Sequence, residues 1–478
     1  MFDSAQAALD RARSLGAEYG EARWMETREQ IISATNGKVD VTESHSAGLG
    51  VRVLVEGHWG FASHDLLNLD PTEVAERAVL LARVEARASR LAELSPLSTR
   101  DETYTTHCDV DPFDVPLPQK TELLESIHRT MLERSSYVVE TSQRFECRRE
   151  QTLLLTSAGT SIRQTVTLTG FNFRITVEKA RKQADRSFPY HSGHYAAGGF
   201  EVIDRMHPIA AASRCVDEAL DLLSAVPLQE ETTTVILDPT MVGTVLHETL
   251  GHPIELDRVL GDESDNFGSS FLKQRHMGRF TYASPIVNVV ADGTLPGGVG
   301  SYGFDHEGVP AQRVQIVKDG VFQGFLSSRE SGHSIGEQSN GSARASSWNR
   351  IPMVRITNLL LEPGDSSLER MIAETQSGIY IETWKATDID DKRLSFSFMG
   401  ERGWRIRDGK LTELVKHPVI YGETPTFWNT CTAIGNASES FLTGILGCGK
   451  GLPWQFVATG QGGPPARFDG VRVGGGLR

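Results

Sequence analysis

Cysteine is scarce in this chain, and the few that occur are scattered. Five cysteines stand among 478 residues, at positions 108, 147, 215, 431 and 448, and none forms a C-x-x-C pair. An odd number of scattered cysteines excludes a framework in which every cysteine is paired in a disulfide. It fits a protein of a reducing compartment. At least one thiol is therefore expected to be available for another purpose.

The chain also lacks a surplus of basic residues and any long apolar run. Lys and Arg number 48 against 62 for Asp and Glu, and the net charge is -14. A phosphate-binding surface requires clustered cations, so direct binding to nucleic acid is not expected. No apolar run is long enough to span a bilayer, and the first residues lack the basic start and apolar core of a signal peptide. We expect no membrane partner and a cytoplasmic location.

Two histidines and a glutamate are concentrated in one short stretch, LHETLGHP at residues 246–253. A β-branched run over 232–237 precedes it, followed by Asp238 and Pro239, which suit the N-cap and the first position of a helix. Apolar residues then recur at helical spacing. The sequence therefore predicts a helix from Pro239 that carries His247 near its far end.

The spacing of the two histidines is unusual for a metal-binding helix. In the H-E-x-x-H helix of zinc proteases, residues four apart stack on one face and reach one ion. His247 and His252 are five apart, which on a regular helix leaves the two side chains roughly 140° apart. A π-bulge eased by Gly251, or a helix end caused by Pro253 moving His252 out of the α region, would bring the imidazoles together.

Glu248 directly follows the first histidine, the position from which a zinc-protease glutamate reaches a metal-bound water without ligating the ion. Zinc lowers the pKa of such a water to roughly 7, which makes it a nucleophile. The alternative interpretation is a satisfied pair of core histidines beside a stray glutamate. A catalytic zinc usually has three protein ligands, and the residues alone leave Glu255, Asp257 and Cys448 open as the third.

Length and element pattern predict an α+β fold in two parts, residues 1–228 and 229–478, because a chain of 478 residues exceeds one ordinary core. Residues 1–228 combine strand ribbons with helices at about 3–15, 71–92, 119–134 and 207–225. Two ribbons, at 23–30 and 144–151, have similar sequences, which favours a duplicated helix-plus-antiparallel-sheet unit. Residues 229–478 are β-rich, with hairpins about Asp319-Gly320 and Asp408-Gly409, and carry the metal-binding helix and the Cys448 loop.

Six short motifs follow one another between residues 247 and 462. They are HETLGH (247–252), DHEGVP (305–310), RITN (355–358), DIDDKR (388–393), CGK (448–450) and GQG (460–462). In type and order they resemble the TldD branch of the TldD/PmbA ("modulator of DNA gyrase") peptidase family, and the resemblance covers nearly the whole chain. The partner branch, PmbA or TldE, lacks H-E-x-x-x-H, so this chain resembles the catalytic member.

The resemblance implies a metallopeptidase with one zinc per chain, held by His247, His252 and Cys448, and with Glu248 as general base and then acid. It also implies a dimer, with a second copy or with a PmbA/TldE-like subunit, enclosing a cavity that admits unfolded peptides. The alternatives are a tailoring hydrolase for one dedicated peptide natural product and a non-catalytic partner subunit.

Six further residues are candidates for supporting the ligands or binding substrate. Glu255 and Asp257 are placed to orient the imidazoles. Arg355 and Asn358 are candidates for lining the cavity, although a surface salt bridge and a turn would explain them equally well. Asp305 and His306 lie in a loop that we expect to line the cavity, and His306 departs from the family, which more often has an acid there.

Overall fold

The computed structural model describes residues 1–67, 70–85, 91–262 and 268–475. Helices and largely antiparallel strands occupy most of this length, which confirms the α+β class. No helix among the described residues is long and apolar enough to cross a membrane. The division of the chain near residue 228 stays a prediction.

The N-terminal half is built on one sheet of eight strands with the order β3-β2-β1-β5-β6-β4, and β7 and β8 also pair with β6. The strands are β1 (Tyr19–Thr35), β2 (Lys38–Val55), β3 (His58–Asp65), β4 (Asp101–Thr105), β5 (Val138–Thr156), β6 (Ser161–Lys179), β7 (Lys182–Phe188) and β8 (His194–Ala197). The helices are α1 (Phe2–Ser14), α2 (Pro71–Glu85), α3 (Leu117–Arg134), α4 (Glu201–Met206) and α5 (Pro208–Leu222).

The two ribbons that the sequence relates are hairpins that lie side by side in this sheet. Helix α1 precedes the first hairpin and α3 precedes the second. Strands β1 and β5 pair antiparallel, so that Gln30 lies opposite Cys147. Asn36 and Gly37 have φ of 49° and 79°, the left-handed conformations that a tight two-residue hairpin turn requires. Helices α1 and α2 pack over one core of the sheet, whereas α3 and α5 pack over another.

Helix α2 is predicted to continue to about residue 92. It is helical to Glu85, residues 86–90 lie outside the described part, and residues 91 and 92 are not helical. The backbone N–H of Ala92 donates to the carbonyl of Gly57, in the turn between β2 and β3. The chain is therefore bonded to the sheet at the point where the apolar spacing predicts a further helical turn.

The C-terminal half contains two larger sheets, β17-β10-β24-β20-β18-β19-β9 with β21 on β24, and β13-β12-β11-β16-β23-β22, besides the pair β14-β15. The strands are β9 (Val226–Pro227), β10 (Glu231–Leu237), β11 (Val289–Asp292), β12 (Arg313–Lys318), β13 (Val321–Phe322), β14 (Ala343–Arg344), β15 (Met353–Val354), β16 (Asn358–Leu361), β17 (Ser377–Ile389), β18 (Ser395–Arg407), β19 (Lys410–Lys416), β20 (Pro418–Glu423), β21 (Cys431–Ile434), β22 (Phe441–Lys450), β23 (Gln455–Gly463) and β24 (Ala466–Gly475). The helices are α6 (Pro239–Leu246), α7 (Leu256–Leu260), α8 (Arg329–Ser334), α9 (Leu368–Ala373) and α10 (Thr424–Asn429).

Helix α6 is the buried element that positions the histidines. All residues from Thr240 to Leu246 are buried, and the helix contacts β16, β22 and β23 of one sheet and β17 of the other. A helix that is apolar on all sides is stable only when it is enclosed in this way. Its C-terminal end is directed toward the part of β22 that carries Cys448, so the predicted Cys448 loop is a strand.

Candidate metal centre

The helix that carries the histidines starts at its predicted N-cap and becomes π-helical at His247. The Asp238 carboxylate accepts the N–H of Met241 at 2.8 Å, which is an N-cap bond, and Pro239 occupies the first turn. Residues His247–Gly251 then form a π-helical turn, closed by the N–H of His252 donating to the carbonyl of His247. The five-residue spacing of the histidines is therefore matched by an i to i−5 hydrogen bond.

The expectation that Pro253 moves His252 out of the α region is wrong. His252 has φ -68° and ψ -39°, and the chain continues into a 3-10 turn over His252–Ile254. The steric effect of proline on the preceding residue is a bias rather than a prohibition. Here the contacts of the His252 imidazole with Glu255 and Cys448 hold that residue in place.

Three potential metal ligands converge on one point. The Sγ of Cys448 lies 3.5 Å from Nε2 of His247 and 3.7 Å from Nε2 of His252. All three ligand atoms lie within 4.8 Å of one another, and the two imidazole planes are inclined at 85°. The residues are 3%, 4% and 4% exposed for His247, His252 and Cys448, so the cluster is closed to solvent on the ligand side.

The two sulfur–nitrogen distances fit a zinc ion. Tetrahedral zinc, with Zn–S near ~2.3 Å and Zn–N near ~2.05 Å, separates the sulfur and nitrogen ligands by about 3.6 Å. The two observed S···N separations bracket that value. Nε2 is the ring atom of His247 that is directed at the cluster, and Nδ1 is buried without a hydrogen-bond partner among the described residues. Imidazole and thiolate are also ligand types that zinc prefers.

The ionisation of the three groups also suits metal binding, which requires neutral imidazoles and a thiolate. Burial lowers the pKa of His247 and so favours its neutral form. Burial alone would raise the pKa of Cys448, but the nearby His252 and Arg355 outweigh it and lower the pKa to about 7. The thiolate is therefore accessible near neutral pH.

Glu255 holds the second histidine in orientation. Its Oε2 lies 3.1 Å from Nδ1 of His252 and accepts Nε–H of Arg258 at 2.7 Å. Lys450 lies 3.6 Å and Arg355 lies 3.7 Å from the same carboxylate. Burial raises the pKa of Glu255, but Lys450 and Arg258 hold it well below its usual range. The carboxylate is thus an anion that fixes the His252 ring with Nε2 toward Cys448.

Glu248 lies on the open side of the centre. Its side chain is 23% exposed, in contrast to the buried ligands, and Oε2 accepts NH1 of Arg393 at 3.0 Å. Burial raises the pKa of Glu248, but His252, His247 and Arg393 outweigh this effect and lower it. A carboxylate that is ionised, fixed and reachable by water beside a candidate metal site can act as a general base.

Comparison with known proteins identifies the family. The model of the PmbA/TldA metallopeptidase C-terminal domain matches residues 230–475, and the models of domain 1 and the central domain match 20–82 and 110–223. This chain belongs to the PmbA/TldD family. The resemblance drawn from the motifs is therefore confirmed.

Relatives of the PmbA/TldD family extend over the whole chain. A metalloprotease of Synechocystis is 30% identical over 96% of this chain and 95% of its own length. A metalloprotease of Methanothermobacter thermautotrophicus is 29% identical over 96% of both chains. A protein of Saccharolobus solfataricus, 21% identical over 98% of this chain and 99% of its own, is named a zinc metalloprotease TldD homolog. These names and the family indicate a metalloprotease.

The fold is shared with a solved structure. The crystal structure of a Thermotoga maritima protein described as a putative modulator of DNA gyrase superposes with a TM-score of 0.79, at 17% identity, over 99% of both chains. That likeness concerns the fold alone.

The other predicted residues of this family member occupy different positions around the centre. Asp257 accepts Lys450 at 2.6 Å, and its second oxygen accepts the N–H of Val354. Arg355 is fully buried and donates to the carbonyl of Cys448, which places it directly behind the sulfur ligand. Both therefore support the strand that carries Cys448.

Asn358, Asp305 and His306 lie farther out. The amide of Asn358 donates to the carbonyl of Asp292 and to Ser301, so it ties β16 to the neighbouring loop. Asp305 accepts the N–H groups of Glu307, Val309 and Ala343 and closes its own turn. His306 lines a cavity between the two halves of the chain.

Sequence reasoning missed four residues that shape the centre. Arg393 pairs with Glu248, Arg258 pairs with Glu255, and Tyr282 and Trp428 donate to the carbonyl and hydroxyl of Thr249 within the π-turn. Arg258 carried a usable signal, since it stands three residues after Glu255 on the same helical side. The aromatic donors come from distant parts of the chain, Tyr282 from a loop and Trp428 from α10, and have no local signature.

Proposed function

We propose that this chain is a zinc-dependent peptidase that hydrolyses unfolded peptides or peptide precursors. One zinc per chain would be held by Nε2 of His247, Nε2 of His252 and Sγ of Cys448, with Glu248 as the general base. The observation that carries the proposal is the convergence of these three buried ligand atoms within 4.8 Å, with one partly exposed carboxylate beside them. The zinc named in one relative supports the choice of metal.

A zinc ion in this position would supply a Lewis acid for the scissile carbonyl and lower the pKa of the attacking water. The chain itself contributes the proton transfer and its geometry. Glu248 takes the proton of the attacking water and passes it to the departing amine, while Arg393, 3.0 Å from Oε2, keeps the carboxylate aimed. Glu255 holds the His252 ring in its orientation, so Nε2 of His252 stays directed at the metal site during turnover.

The proposal extends to the partners and the cellular location of the protein. We propose that the protein acts in the cytoplasm as a dimer, with a second copy or with a PmbA/TldE-like subunit, and that the peptide enters an enclosed cavity. The free state of all five cysteines supports a reducing compartment.

The test combines metal analysis with peptide hydrolysis. We expect one zinc per chain, lost or much weakened in Cys448→Ala. Glu248→Gln should retain zinc but lose at least about 100-fold in peptide hydrolysis, the usual contribution of a general base. Cys108→Ala, which alters a half-buried thiol outside the cluster, is the matched control and should keep both properties. Full zinc content and activity in Cys448→Ala would disprove the ligand assignment, and undiminished hydrolysis by Glu248→Gln would disprove the base.

A further inference from the structure

A cavity of about 560 Å³, counting the part open to solvent, lies between the N-terminal sheet and β23. Strands β5 and β6 form one wall, and β14, β23 and the loop before Glu307 form the other. Val457, in this wall, is the residue that pairs with Cys448 across β22 and β23. Phe456, which also lines it, is 50% exposed, so the cavity opens to solvent there. The cavity is thus a neighbour of the metal centre but distinct from it.

One wall carries a buried guanidinium without an anionic partner. Arg344 is 8% exposed, and its terminal nitrogens donate to the carbonyls of Ala458 and Ile356. Its Nε has no hydrogen-bond partner, and no Asp or Glu pairs with it, within the described ranges. Burial lowers the pKa of Arg344, and Tyr302, Cys448 and the more distant Glu150 oppose this effect without hydrogen bonding to it. A buried cation bonded only to neutral carbonyls favours an anion that arrives from outside.

The opposite wall of the cavity carries a second cation, Arg148, and one carboxylate, Glu150, which lies near both Arg148 and His306. Glu150 lies 4.0 Å from Arg148 and 3.4 Å from Nε2 of His306. Nδ1 of His306 accepts the N–H of Ala345 at 2.8 Å, so the ring proton is on Nε2 and faces Glu150. Burial also lowers the pKa of His306 and keeps it neutral. Two guanidiniums therefore face one carboxylate, and the cavity has an excess of one positive charge.

The rest of the lining combines apolar side chains, among them Val166, Leu168, Val299 and Phe456, with the polar Gln164, Ser301 and Ser346. A cationic group beside apolar side chains suits a ligand that joins a carboxylate to an apolar body. Directly paired residues on neighbouring strands are about 5 Å apart, and each residue of an extended peptide spans about 3.3 Å. The cavity is therefore within reach of a peptide held at the metal centre, a few residues from the bond to be cleaved.

We propose that this cavity is a substrate subsite that selects peptides bearing a carboxylate beside an apolar residue, with Arg344 and Arg148 as the recognising groups and the neutral His306 leaving their excess charge uncancelled. The inference rests on the proposed peptidase function. The carboxylate comes either from the C-terminus of the peptide or from an acidic side chain. An acidic residue at position 306 would cancel the excess charge, so His306 determines specificity.

Binding is measured by calorimetry on zinc-loaded protein carrying Glu248→Gln, which separates recognition from cleavage. The first pair of probes is a blocked apolar pentapeptide ending in leucine, as the free acid and as the C-terminal amide. The second pair is the amide with glutamate or glutamine at one internal position. We expect at least one pair to show about a 10-fold preference for the carboxylate form, the usual effect of a charge-assisted bond. The pair that shows it identifies the source of the carboxylate.

Two further substitutions locate that preference. His306→Glu adds a negative charge and should reduce the ratio of the two affinities to about one, whereas His306→Gln, of the same size but neutral, should reduce it much less. Arg148→Gln alters a partly exposed side chain and should also lower the ratio. Melting temperatures confirm that each variant is folded.

The inference is overturned if both probe pairs bind equally to the parent protein, or if the preference is unchanged in both His306→Glu and Arg148→Gln. Whether the protein is a peptidase is tested separately, by measuring hydrolysis of the four peptides by the protein with Glu248 intact. Cleavage without a preference removes the subsite and keeps the peptidase. A preference without any cleavage removes the peptidase and leaves an anion-binding cavity.

Discussion

At the scale of single residues, the centre is a set of buried charges that neutralise one another. Glu255 is fully buried and faces Arg258, Lys450 and Arg355 as well as His252. A carboxylate without these cations would be too costly to bury, and the cations would be equally costly without the carboxylate. The orientation of the His252 ring is therefore maintained by ion pairs that themselves contact no metal.

Replacing Glu255 should weaken metal binding. Glu255→Gln removes the anion that accepts the ring proton of His252, and we expect zinc affinity to fall by about 10- to 100-fold. Competition with a chelator measures this. Glu374→Gln, in an exposed pair with Arg370, is the control and should leave affinity unchanged. Unaltered affinity in Glu255→Gln would show that packing alone orients the imidazole.

Zinc affinity should also depend on pH. The pKa of Cys448 is lowered to about 7, so at higher pH the thiolate is available and at lower pH protons compete with the metal. We expect the apparent affinity to be steady above pH 8 and to fall by up to about 10-fold per pH unit below 7. Equilibrium dialysis against buffered zinc from pH 5.5 to 8.5 tests this. A flat profile across that range would contradict a thiolate ligand.

At the scale of elements, the π-turn requires close packing against β16. A Cβ on Gly251 would lie 2.7 Å from the end of Ile356 and 3.2 Å from Leu359, both of which are fully buried. The backbone angles of Gly251 are ordinary, so space rather than conformational freedom requires glycine here. Tight contact at this point sets the distance between the histidines and the sheet that carries Cys448.

Adding a side chain to the π-turn should therefore destabilise the fold. Gly251→Val should lower the free energy of unfolding by about 1–3 kcal/mol, the usual cost of overpacking a filled core. Chemical denaturation measures the change. Gly324→Val, where an added Cβ meets nothing within 4 Å, is the matched control. If the two variants were equally stable, the contact with Ile356 would not constrain the turn.

Helix starts and hairpin turns, which residues adjacent in sequence determine, were predicted well. Asp238 and Pro239 start α6, and Asn36-Gly37, Asp319-Gly320 and Asp408-Gly409 each stand between paired strands. The helix predicted to continue to about residue 92 is not helical at residues 91 and 92, where the N–H of Ala92 donates to the carbonyl of the distant Gly57. Capping and turn residues act on their neighbours in the sequence. Tertiary contacts can override a helical spacing of apolar residues, and nothing in the local sequence indicates this.

At the scale of the whole molecule, a buried ion pair joins the two halves of the chain. Arg186 on β7 pairs with Glu401 on β18, and Glu401 also accepts the N–H of Ser187 at 3.1 Å. Glu401 is fully buried, and Arg186 keeps a second partner in Glu218 at 2.9 Å. This pairing aligns the N-terminal sheet with the half that holds the metal centre.

Loss of that pair should destabilise the molecule as a unit. Glu401→Gln should cost about 3 kcal/mol, the low end for breaking a buried ion pair, because Arg186 keeps Glu218. Asp217→Asn removes an exposed pair with Arg134 and should cost less than about 1 kcal/mol. Unfolding in denaturant compares the two variants. Equal stability would indicate that apolar contacts alone join the halves.

The sequence by itself determined the chemistry of the α6 end and its unusual geometry. Histidines five apart exclude a shared metal on a regular helix, and the i to i−5 bond of the structure is the consequence. Only the tertiary structure decided which distant group meets them. Cys448 stands 196 residues beyond His252 and reaches it, whereas Asp257 turns to Lys450. Spacing governs what lies on one helix face, but the pairing of β22 with β23 and the packing of α6 bring the sulfur to the imidazoles.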